Sequence, residues 1–437
     1  MKRLWIFPAL LLVAFATIAS VWPAPPVPAR VAVAGHSSSM VRAFPKYAFI
    51  EYDKNTLHLR GDSAGWDRLF ARMDQLVFEG DTNLTVLHMG GSHVQAGILS
   101  DALRERLFTL APGIEGERGF LFPYKLAKTN GPPNYAVRHS GSWDSCKNSN
   151  RKDHCDWGMS GYNAWTSDTS AVIKLWAFDP DSTIYPFNRV KVFHHQDSTA
   201  LLPTLDARNQ VVNITVDLEA GFTEFELAEP CDTLWLGIAQ TDSLQTRFTL
   251  QGLTLENDDN GITYHAIGVN GASVPSYLRC EKLPVQLQTL HPDLAIFGIG
   301  INDAYKPTSS FSKETFKANY DSLIAHVRAA NPDCQLLFLT NNDSYYRRRY
   351  ANKNAIQVRE AMYELAEEHN GAVWDLFEIM GGLGSITAWE SAGLAKHDKI
   401  HFTKAGYRFQ AELMFQAIRE RYGEYLQAQA GGQRDSR

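Results

Sequence analysis

An interrupted alternation of strand-like and helix-like segments constrains the fold of this chain most. An apolar strand pattern at residues 84–89 precedes a helical pattern over residues 94–108, and the same alternation resumes at residue 262 and continues to residue 422. Strands that alternate with helices form parallel sheets covered by helices on both faces. Residues 130–255 show many short alternating segments and few helical periods. We therefore expect a β-rich block inserted into a single α/β domain.

The inserted block has the strand spacing of an all-β unit. Clusters of Asp, Ser, Pro and Asn separate its short apolar segments, a pattern typical of a β-sandwich or jelly roll. The expected strands are residues 171–178, 188–195, 211–218, 222–227, 233–239 and 246–255. The predicted organisation is an α/β domain in two parts, residues 45–130 and 258–425, around a β module at 131–257, with a disordered tail at 426–437.

Helical and strand-like periods also predict the elements of the α/β domain. The expected helices are residues 64–78, 94–108, 276–290, 313–330, 354–369 and 403–422, and the expected strands are residues 84–89, 262–267, 294–299, 335–340 and 372–376.

The first residues have the pattern of an export signal. Lys2 and Arg3 precede an uncharged apolar run at residues 4–22, and a Pro/Ala-rich stretch extends to residue 29. The run approaches the ~20 residues that span a bilayer, so residues 1–29 are either a cleaved signal or a retained membrane anchor with a linker. We expect an exported protein, periplasmic or associated with the cell envelope. The net charge of −6 gives no broad electrostatic footprint for nucleic acid.

A serine stands at the turn between the first strand and helix of the α/β domain. Ser92 follows Gly90 and Gly91, just before a helical pattern, where backbone N–H groups can face an anion. It is either the nucleophile of a hydrolase or only the cap of the helix. His93 is adjacent in sequence, so we expect its side chain to pack or to contact substrate instead of serving as the base of Ser92.

Asp398 and His401 supply what a nucleophilic serine needs. A neutral imidazole can accept the serine proton, and a carboxylate on its other nitrogen fixes the tautomer and stabilises the imidazolium. Taken alone, Asp-x-x-His is common in surface loops. Because active sites of parallel α/β sheets gather at the carboxyl ends of the strands, this loop can meet Ser92 there.

Two further residues follow strands in the same half of the chain. Asn302 offers a side-chain amide, and Gly271 offers a backbone N–H without an obstructing side chain. Both could stabilise an oxyanion together with the Ser92 N–H. The alternative interpretation is a turn glycine and a helix-initiating Asn302-Asp303.

The segments around Ser92, Gly271, Asn302 and the Asp398–His401 loop resemble the four blocks of the SGNH (GDSL-type) hydrolase superfamily. The resemblance covers residues 84–108 and 262–422 and implies a three-layer α/β/α, flavodoxin-like domain with a parallel sheet. It implies Ser92, His401 and Asp398 as the catalytic triad. It also implies an oxyanion hole formed by Ser92, Gly271 and Asn302.

A β-sandwich inserted after the first block is similar to the exported peptidoglycan O-acetylesterases, as is the segment at residues 374–382. Those proteins imply a serine esterase that removes O-acetyl groups from peptidoglycan or another envelope glycan, without metal or organic cofactor. A glycan O-acetyltransferase with the same triad and a non-catalytic glycan-binding protein are the alternatives. One departure concerns Gly91, since the family usually has Asp there to support the neighbouring loops.

The β module is rich in aromatic residues that could either stack on sugars or fill a core. Trp143, Trp157 and Trp165 lie in a Gly/Ser-rich region and are the candidates for substrate contact, whereas Trp176 and Trp235 lie on expected strands and are predicted core residues.

The cysteines of the chain are compatible with an oxidising compartment. Cys146 and Cys155 lie close together in a polar loop and are expected to form a disulfide, and the other three are expected to be buried thiols. His154 and Asp156 flank Cys155 but do not complete a ligand set, so we expect no metal site.

Overall fold

The computed structural model describes residues 46–178 and 185–435, and the side chains of residues 432–435 are not among those described. The expected signal or anchor at residues 1–29 lies outside this range. Residues from Lys46 onward form one compact unit. No helix within the described ranges is long and apolar enough to cross a membrane.

Nineteen strands are present in the described part of the chain. In chain order they are β1 Leu57–Leu59, β2 Asn83–Gly90, β3 Gly119–Leu121, β4 Tyr135–His139, β5 Asp144–Lys147, β6 Tyr162–Thr166, β7 Ile173–Ala177, β8 Phe187–His194, β9 Leu202–Leu205, β10 Val211–Asp217, β11 Phe222–Cys231, β12 Leu234–Ala239, β13 Phe248–Glu256, β14 Gly261–Gly268, β15 Leu294–Gly298, β16 Gln335–Leu339, β17 Tyr345–Tyr346, β18 Tyr350–Ala351 and β19 Ala372–Trp374.

The same part of the chain contains eleven α-helices. They are α1 Ala64–Phe78, α2 Ser92–Gln95, α3 Ile98–Leu107, α4 Val274–Leu278, α5 Leu283–Gln288, α6 Ile301–Ala304, α7 Lys313–Ala330, α8 Asn354–Glu368, α9 Leu376–Ile379, α10 Ile386–Ser391 and α11 Lys404–Asp435.

The central sheet has the order β1-β19-β16-β15-β2-β14. Its five strands from β19 to β14 are parallel, and β1 is an antiparallel edge strand. The helices form two layers: α11 contacts both α1 and α3, and α7 contacts α4, α5 and α8. The predicted three-layer α/β/α arrangement with a parallel sheet is therefore confirmed.

Two antiparallel sheets lie between β2 and β14 in the sequence. The larger has the order β10-β11-β8-β13-β6-β5, with β3 also paired to β13, and the smaller has the order β4-β7-β12-β9. Their inward residues, such as Leu175, Leu236 and Phe225, belong to one hydrophobic cluster. That cluster also contains Met89 and Phe297 of the central sheet, so the sandwich and the α/β core are packed together without a break.

Several predicted element bounds differ from the structure, and three of these differences have a clear local cause. The expected helix 94–108 is divided at Gly97, which has a left-handed φ of 76°. The expected helix 276–290 is divided before Leu283 because Pro284 lacks an N–H and must lie in a first turn. The expected disordered tail is wrong, since α11 continues to Asp435 through good helix formers such as Leu426 and Ala428.

The strand ends in the central sheet permit a close approach by the following turn. A Cβ at Gly268 would overlap the backbone nitrogen of Gln95 in α2. We expect Gly268→Ala to lower the free energy of unfolding by about 1–3 kcal/mol because the packed turn must shift.

Denaturant titration followed by circular dichroism measures this loss. Gly423→Ala is the matched control, because Gly423 lies within α11 with nothing within 4 Å of an added Cβ. The control should raise stability by about 0.5–1 kcal/mol. An equal stability change in both variants would contradict the close-packing explanation.

Candidate active site

Three neighbouring strands end side by side and direct their following loops to one edge of the central sheet. Gly90 at the end of β2 is in register with Gly268 of β14 and with Gly298 of β15. The loops after these strands carry Ser92, Gly271 and Asn302. Residues far apart in sequence therefore line one cavity, which His401 also lines.

A continuous chain of hydrogen bonds joins the serine to a carboxylate. Ser92 Oγ lies 2.8 Å from His401 Nε2, and His401 Nδ1 lies 2.8 Å from Asp398 Oδ2. The other carboxylate oxygen, Oδ1, accepts from the backbone N–H of Ile400 at 3.0 Å and of His401 at 2.9 Å. This geometry can transfer the serine proton to the imidazole while the carboxylate fixes the ring.

The carboxylate of this chain is held in its charged form. Partial burial opposes ionisation of Asp398, but the His401 side chain and the two backbone N–H groups stabilise the anion more strongly. Together they hold the pKa of Asp398 well below its usual range. An ionised Asp398 requires the proton of His401 to stay on Nδ1, which leaves Nε2 free to accept from Ser92.

The loop that carries Asp398 and His401 is fixed by its neighbours. Lys399 has a left-handed backbone with φ 57°. Its carbonyl accepts from the Tyr345 N–H at 2.9 Å, and the Ile400 carbonyl accepts from Asn342 Nδ2 at 3.1 Å. These two bonds hold the loop that contains Asp398 and His401 against the segment that follows β16.

Asn302 is placed to donate into the same cavity. Its amide nitrogen donates one hydrogen to the Ala272 carbonyl at 2.9 Å. The amide has two N–H groups, so this bond orients the group and leaves the second hydrogen for an oxyanion. Gly271 lies in the adjoining loop with φ 82°, a conformation that favours glycine.

Glycine at position 91, where the family that the chain resembles usually has Asp, has a local steric consequence. A Cβ at position 91 would lie 3.2 Å from Asn302 Nδ2 and 3.5 Å from the Ala272 carbonyl oxygen. Even the smallest side chain there would press on the amide that faces the cavity. Glycine at this position therefore lets Asn302 approach the turn that holds Ser92.

Gln95 is a buried residue that links three loops of the site, a role not predicted from the sequence. Its Oε1 accepts from the Asn270 N–H at 2.5 Å and from the Tyr162 hydroxyl at 3.1 Å, while its Nε2 donates to the Asn130 carbonyl at 2.7 Å. Tyr162 belongs to the β-sandwich, so this sheet contributes to the support of the site. A glutamine just after a candidate nucleophile gives no sequence signal for this role.

Asp303 is a second buried residue that connects the loops of the site. Its buried carboxylate accepts from the Val274 N–H at 3.2 Å, which ties α6 to the start of α4 beyond Gly271. Burial raises the pKa of Asp303 to about 7, and the bond from Val274 only partly offsets it. From the sequence, Asp303 was expected only as part of a helix-initiating Asn302-Asp303 pair.

His93 packs behind the reacting residues. Its ring centroid lies 5.1 Å from that of His401, and its Nδ1 lies 2.8 Å from the Tyr407 hydroxyl oxygen. Burial, followed by the nearby His401, lowers the pKa of His93 to about 3. His93 is therefore a neutral packing residue, in agreement with one of its two expected roles.

The cavity itself has a volume of about 810 Å³ and a positive lining. Lys396 and Lys404 line it together with Asn130, Asn270 and Tyr305, and no carboxylate is among its lining residues. This arrangement can accommodate a polar substrate that carries negative charge.

The tryptophans of the β module are distributed opposite to prediction. Trp143 and Trp157 are only 3% exposed and belong to the core, and Trp165 is half-buried against it, so none of the three lines the cavity. Trp176 and Trp235, predicted core residues, lie half-exposed at outward positions of β7 and β12. Strand alternation explains the error, because the neighbouring Leu175 and Leu234 take the inward positions.

The five cysteines form one disulfide and leave three free thiols. Cys146 and Cys155 are joined by a disulfide across the segment between β5 and β6. Cys280 and Cys334 are buried thiols, and Cys231 is only partly buried. Within the described residues, no three His, Cys, Asp or Glu side chains are grouped so that they could hold a metal ion.

The raised pKa of Asp303 predicts a specific pH dependence. Between the ordinary carboxyl pKa and about 7, Asp303 keeps its proton in the folded state but loses it in the unfolded state. The free energy of unfolding therefore falls as pH rises through this range. Asp303→Asn removes this penalty and keeps an acceptor for Val274. We expect the melting temperature of the variant, relative to that of the unsubstituted protein, to rise from pH 4 to pH 7.

Differential scanning calorimetry at four pH values measures this gain. Asp144→Asn, at an exposed position of β5, serves as a control that should show no such gain. A constant difference across the range would contradict the assignment.

Comparisons with known proteins found one family model and several solved structures that are similar to this chain. Residues 239–409 match the model of the GDSL-like lipase/acylhydrolase family. No curated protein matches the chain. A solved structure of a peptidoglycan O-acetylesterase matches with a TM-score of 0.69 and 20% identity, covering 84% of this chain and 99% of that one.

Other solved structures match a smaller share of the chain. An acetyl xylan esterase matches with a TM-score of 0.29 and 19% identity over 36% of this chain and 81% of its own. A lipase/acylhydrolase from Enterococcus faecalis matches with a TM-score of 0.30 and 20% identity over 38% of this chain and 78% of its own.

Proposed function

We propose that this chain is a carboxylic ester hydrolase of the SGNH/GDSL type that removes O-acetyl groups from a glycan of the cell envelope. The observation that carries the proposal is the hydrogen-bonded chain Ser92–His401–Asp398, which opens into a cavity shared with Gly271 and Asn302.

Catalysis would proceed through an acyl-enzyme. His401 Nε2 takes the proton of Ser92 as Oγ attacks the acetyl carbonyl, and a tetrahedral oxyanion forms. The Asn302 amide and the backbone N–H groups of Ser92 and Gly271 stabilise that oxyanion. His401 then gives its proton to the departing sugar oxygen, and a water activated in the same way releases acetate.

Peptidoglycan is the first substrate to test. The similar fold of a peptidoglycan O-acetylesterase suggests the polymer. The cationic lining of Lys396 and Lys404 suits a glycan whose peptides carry carboxylates. Such a substrate lies outside the cytoplasm, which agrees with the export pattern at residues 1–29 and with a disulfide between Cys146 and Cys155.

Replacement of the proposed nucleophile tests the mechanism. Ser92→Ala should lower acetate release from O-acetylated peptidoglycan and from p-nitrophenyl acetate by about 10³-fold or more, since the acyl-enzyme cannot form. Ser322→Ala, on the exposed face of α7, is the matched control and should keep full activity.

Full activity of a folded Ser92→Ala variant would exclude the mechanism. Acetate release from esters but not from peptidoglycan would keep the mechanism and exclude that substrate. The same assay includes an acceptor glycan free of acetyl groups, because transfer of acetyl to it without acetate release would identify the acetyltransferase alternative. Binding of glycan without turnover of any ester would identify the non-catalytic alternative.

The proposed oxyanion donor predicts a different kinetic signature. Asn302→Ala should lower kcat by about 10²–10³-fold with little change in KM, because the lost hydrogen bond forms only with the charged intermediate. Steady-state kinetics on p-nitrophenyl acetate separate the two constants. A rise in KM at unchanged kcat would instead place Asn302 in substrate binding.

A further inference from the structure

A short arginine-rich hairpin lies between the end of β16 and the start of α8. Its two strands are β17 and β18, and its tip is formed by Arg347, Arg348 and Arg349, all of which are exposed. The Arg349 N–H donates to the Tyr346 carbonyl at 3.2 Å, which closes the tip as a tight turn. We name residues 345–351 the arginine hairpin.

The backbone of this turn is unfavourable for arginine. Arg347 and Arg348, the two central residues of the turn, have left-handed backbones with φ 53° and φ 60°. Two successive left-handed residues are the pattern of a type I′ turn, for which Asn-Gly is the favoured pair. The Cβ of any other residue is strained in this region, and such strain persists mostly where the side chains have a function.

The first strand of the arginine hairpin is attached to the loop of the proposed acid and base. The Tyr345 N–H donates to the Lys399 carbonyl at 2.9 Å, and Lys399 Nζ lies 4.6 Å from the centroid of the Tyr345 ring. Lys399 lies between Asp398 and His401 in the sequence. The hairpin therefore keeps a fixed position beside the reacting residues.

The tip of the arginine hairpin is attached to the wall of the cavity. The Arg347 N–H donates to the Tyr305 hydroxyl at 3.0 Å, and the Tyr305 ring packs edge-on against the Tyr346 ring with 5.1 Å between centroids. Tyr305 follows α6 directly and is one of the residues that line the cavity. None of the three arginines is itself a lining residue, so the tip lies just outside the cavity, on its Tyr305 side.

The arginines of the tip have no carboxylate partners. No Asp or Glu among the described residues lies within ion-pair distance of any of the three, and the same is true of the neighbouring Lys306 and of Lys396 in the cavity lining. A chain of net charge −6 therefore concentrates unpaired positive charge at the mouth of the cavity that holds Ser92. Such a local excess of cations attracts an anion.

A carboxylate on a continuing polymer fits this arrangement. The sugar that carries the ester must enter the cavity to reach Ser92, so a group that meets the tip belongs to the part of the substrate that stays outside. Guanidinium groups bind carboxylates through two parallel hydrogen bonds. The Arg347 guanidinium lies 5.2 Å from the Tyr346 ring, a cation–π contact that holds it in place for such a bond.

We propose that the arginine hairpin binds a carboxylate of the glycan beside the acetylated sugar and thereby selects which esters Ser92 cleaves. This inference rests on the proposed function and refines its substrate class to glycans that carry carboxylates next to the ester. The hairpin belongs to the α/β domain, so this selection does not involve the inserted sandwich.

Substitution of the tip tests the proposal through a ratio of two substrates. The triple variant Arg347→Gln/Arg348→Gln/Arg349→Gln is assayed on soluble fragments of O-acetylated peptidoglycan and on p-nitrophenyl acetate, which carries no carboxylate. The ratio of kcat/KM on the fragments to kcat/KM on p-nitrophenyl acetate should fall about tenfold, mainly through a higher KM for the fragments. Amidation of the fragment carboxyls should lower the ratio of the parent similarly and remove the difference between parent and variant.

A second variant separates recognition from folding. Arg347→Asn/Arg348→Gly places the favoured pair of a type I′ turn at the tip and keeps the backbone path. Its melting temperature should rise by about 1–3 °C, because the backbone strain is relieved. Its substrate ratio should nevertheless fall several-fold, because two cations are lost. A merely structural role of the arginines would not lower the ratio while the fold gains stability.

Two exposed arginines away from the cavity are matched controls. The Arg60 guanidinium lies 5.0 Å from the Tyr363 ring, and the Arg60 N–H donates to the Gly371 carbonyl just before β19, at the edge of the central sheet opposite to the cavity. Arg419 lies at an exposed position of α11. Arg60→Gln and Arg419→Gln should keep the substrate ratio of the parent.

Three results would overturn the proposal: an unchanged ratio in both tip variants, an equal fall in the controls, or a difference that persists after amidation. If the tip variants lose binding to equimolar phosphatidylglycerol and phosphatidylcholine vesicles at an unchanged ratio, the arginines serve a membrane surface instead. Absence of acetate release from every glycan would overturn the proposed function and this inference with it. Turnover of the fragments with an unchanged ratio would overturn the inference alone, so the two failures are distinguishable.

Discussion

The in-register ending of three parallel strands is the constraint on which the site depends. Gly90 of β2 is paired with Gly268 on one side and Gly298 on the other, so the chain leaves all three strands at the same height. Parallel strands deliver their following loops to one edge, where a serine, a backbone amide and a side-chain amide can converge. Glycines at these ends matter because the turn of Ser92 packs directly onto them.

The β-sandwich is part of the support of this site. Tyr162 from β6 shares the side-chain oxygen of Gln95 with the Asn270 N–H, so one buried glutamine couples the sandwich, the turn of Ser92 and the loop of Gly271. The hydrophobic core is continuous across the same boundary. Removal of the sandwich would therefore disturb the proposed oxyanion loop.

The cavity is positively lined although the chain as a whole is acidic. Lys396 and Lys404 are among its lining residues, and no carboxylate is. This positive lining occurs on a chain of net charge −6. An excess of cations in the cavity favours a substrate that carries negative charge near the ester.

The sequence by itself determined the α/β class, the insertion of a β-rich block and the four segments of the candidate site, because strand and helix periods and short polar motifs are local. It placed helix 64–78 and helix 313–330 at the bounds that the structure has. It could not determine the roles of the tryptophans, since Trp143 is buried outside any strand whereas Trp235 lies at an outward position of β12. Gln95, the neutral His93 and the approach of Asn302 to Gly91 were likewise decided by tertiary structure alone, because each depends on contacts between loops that only the packed sheet brings together.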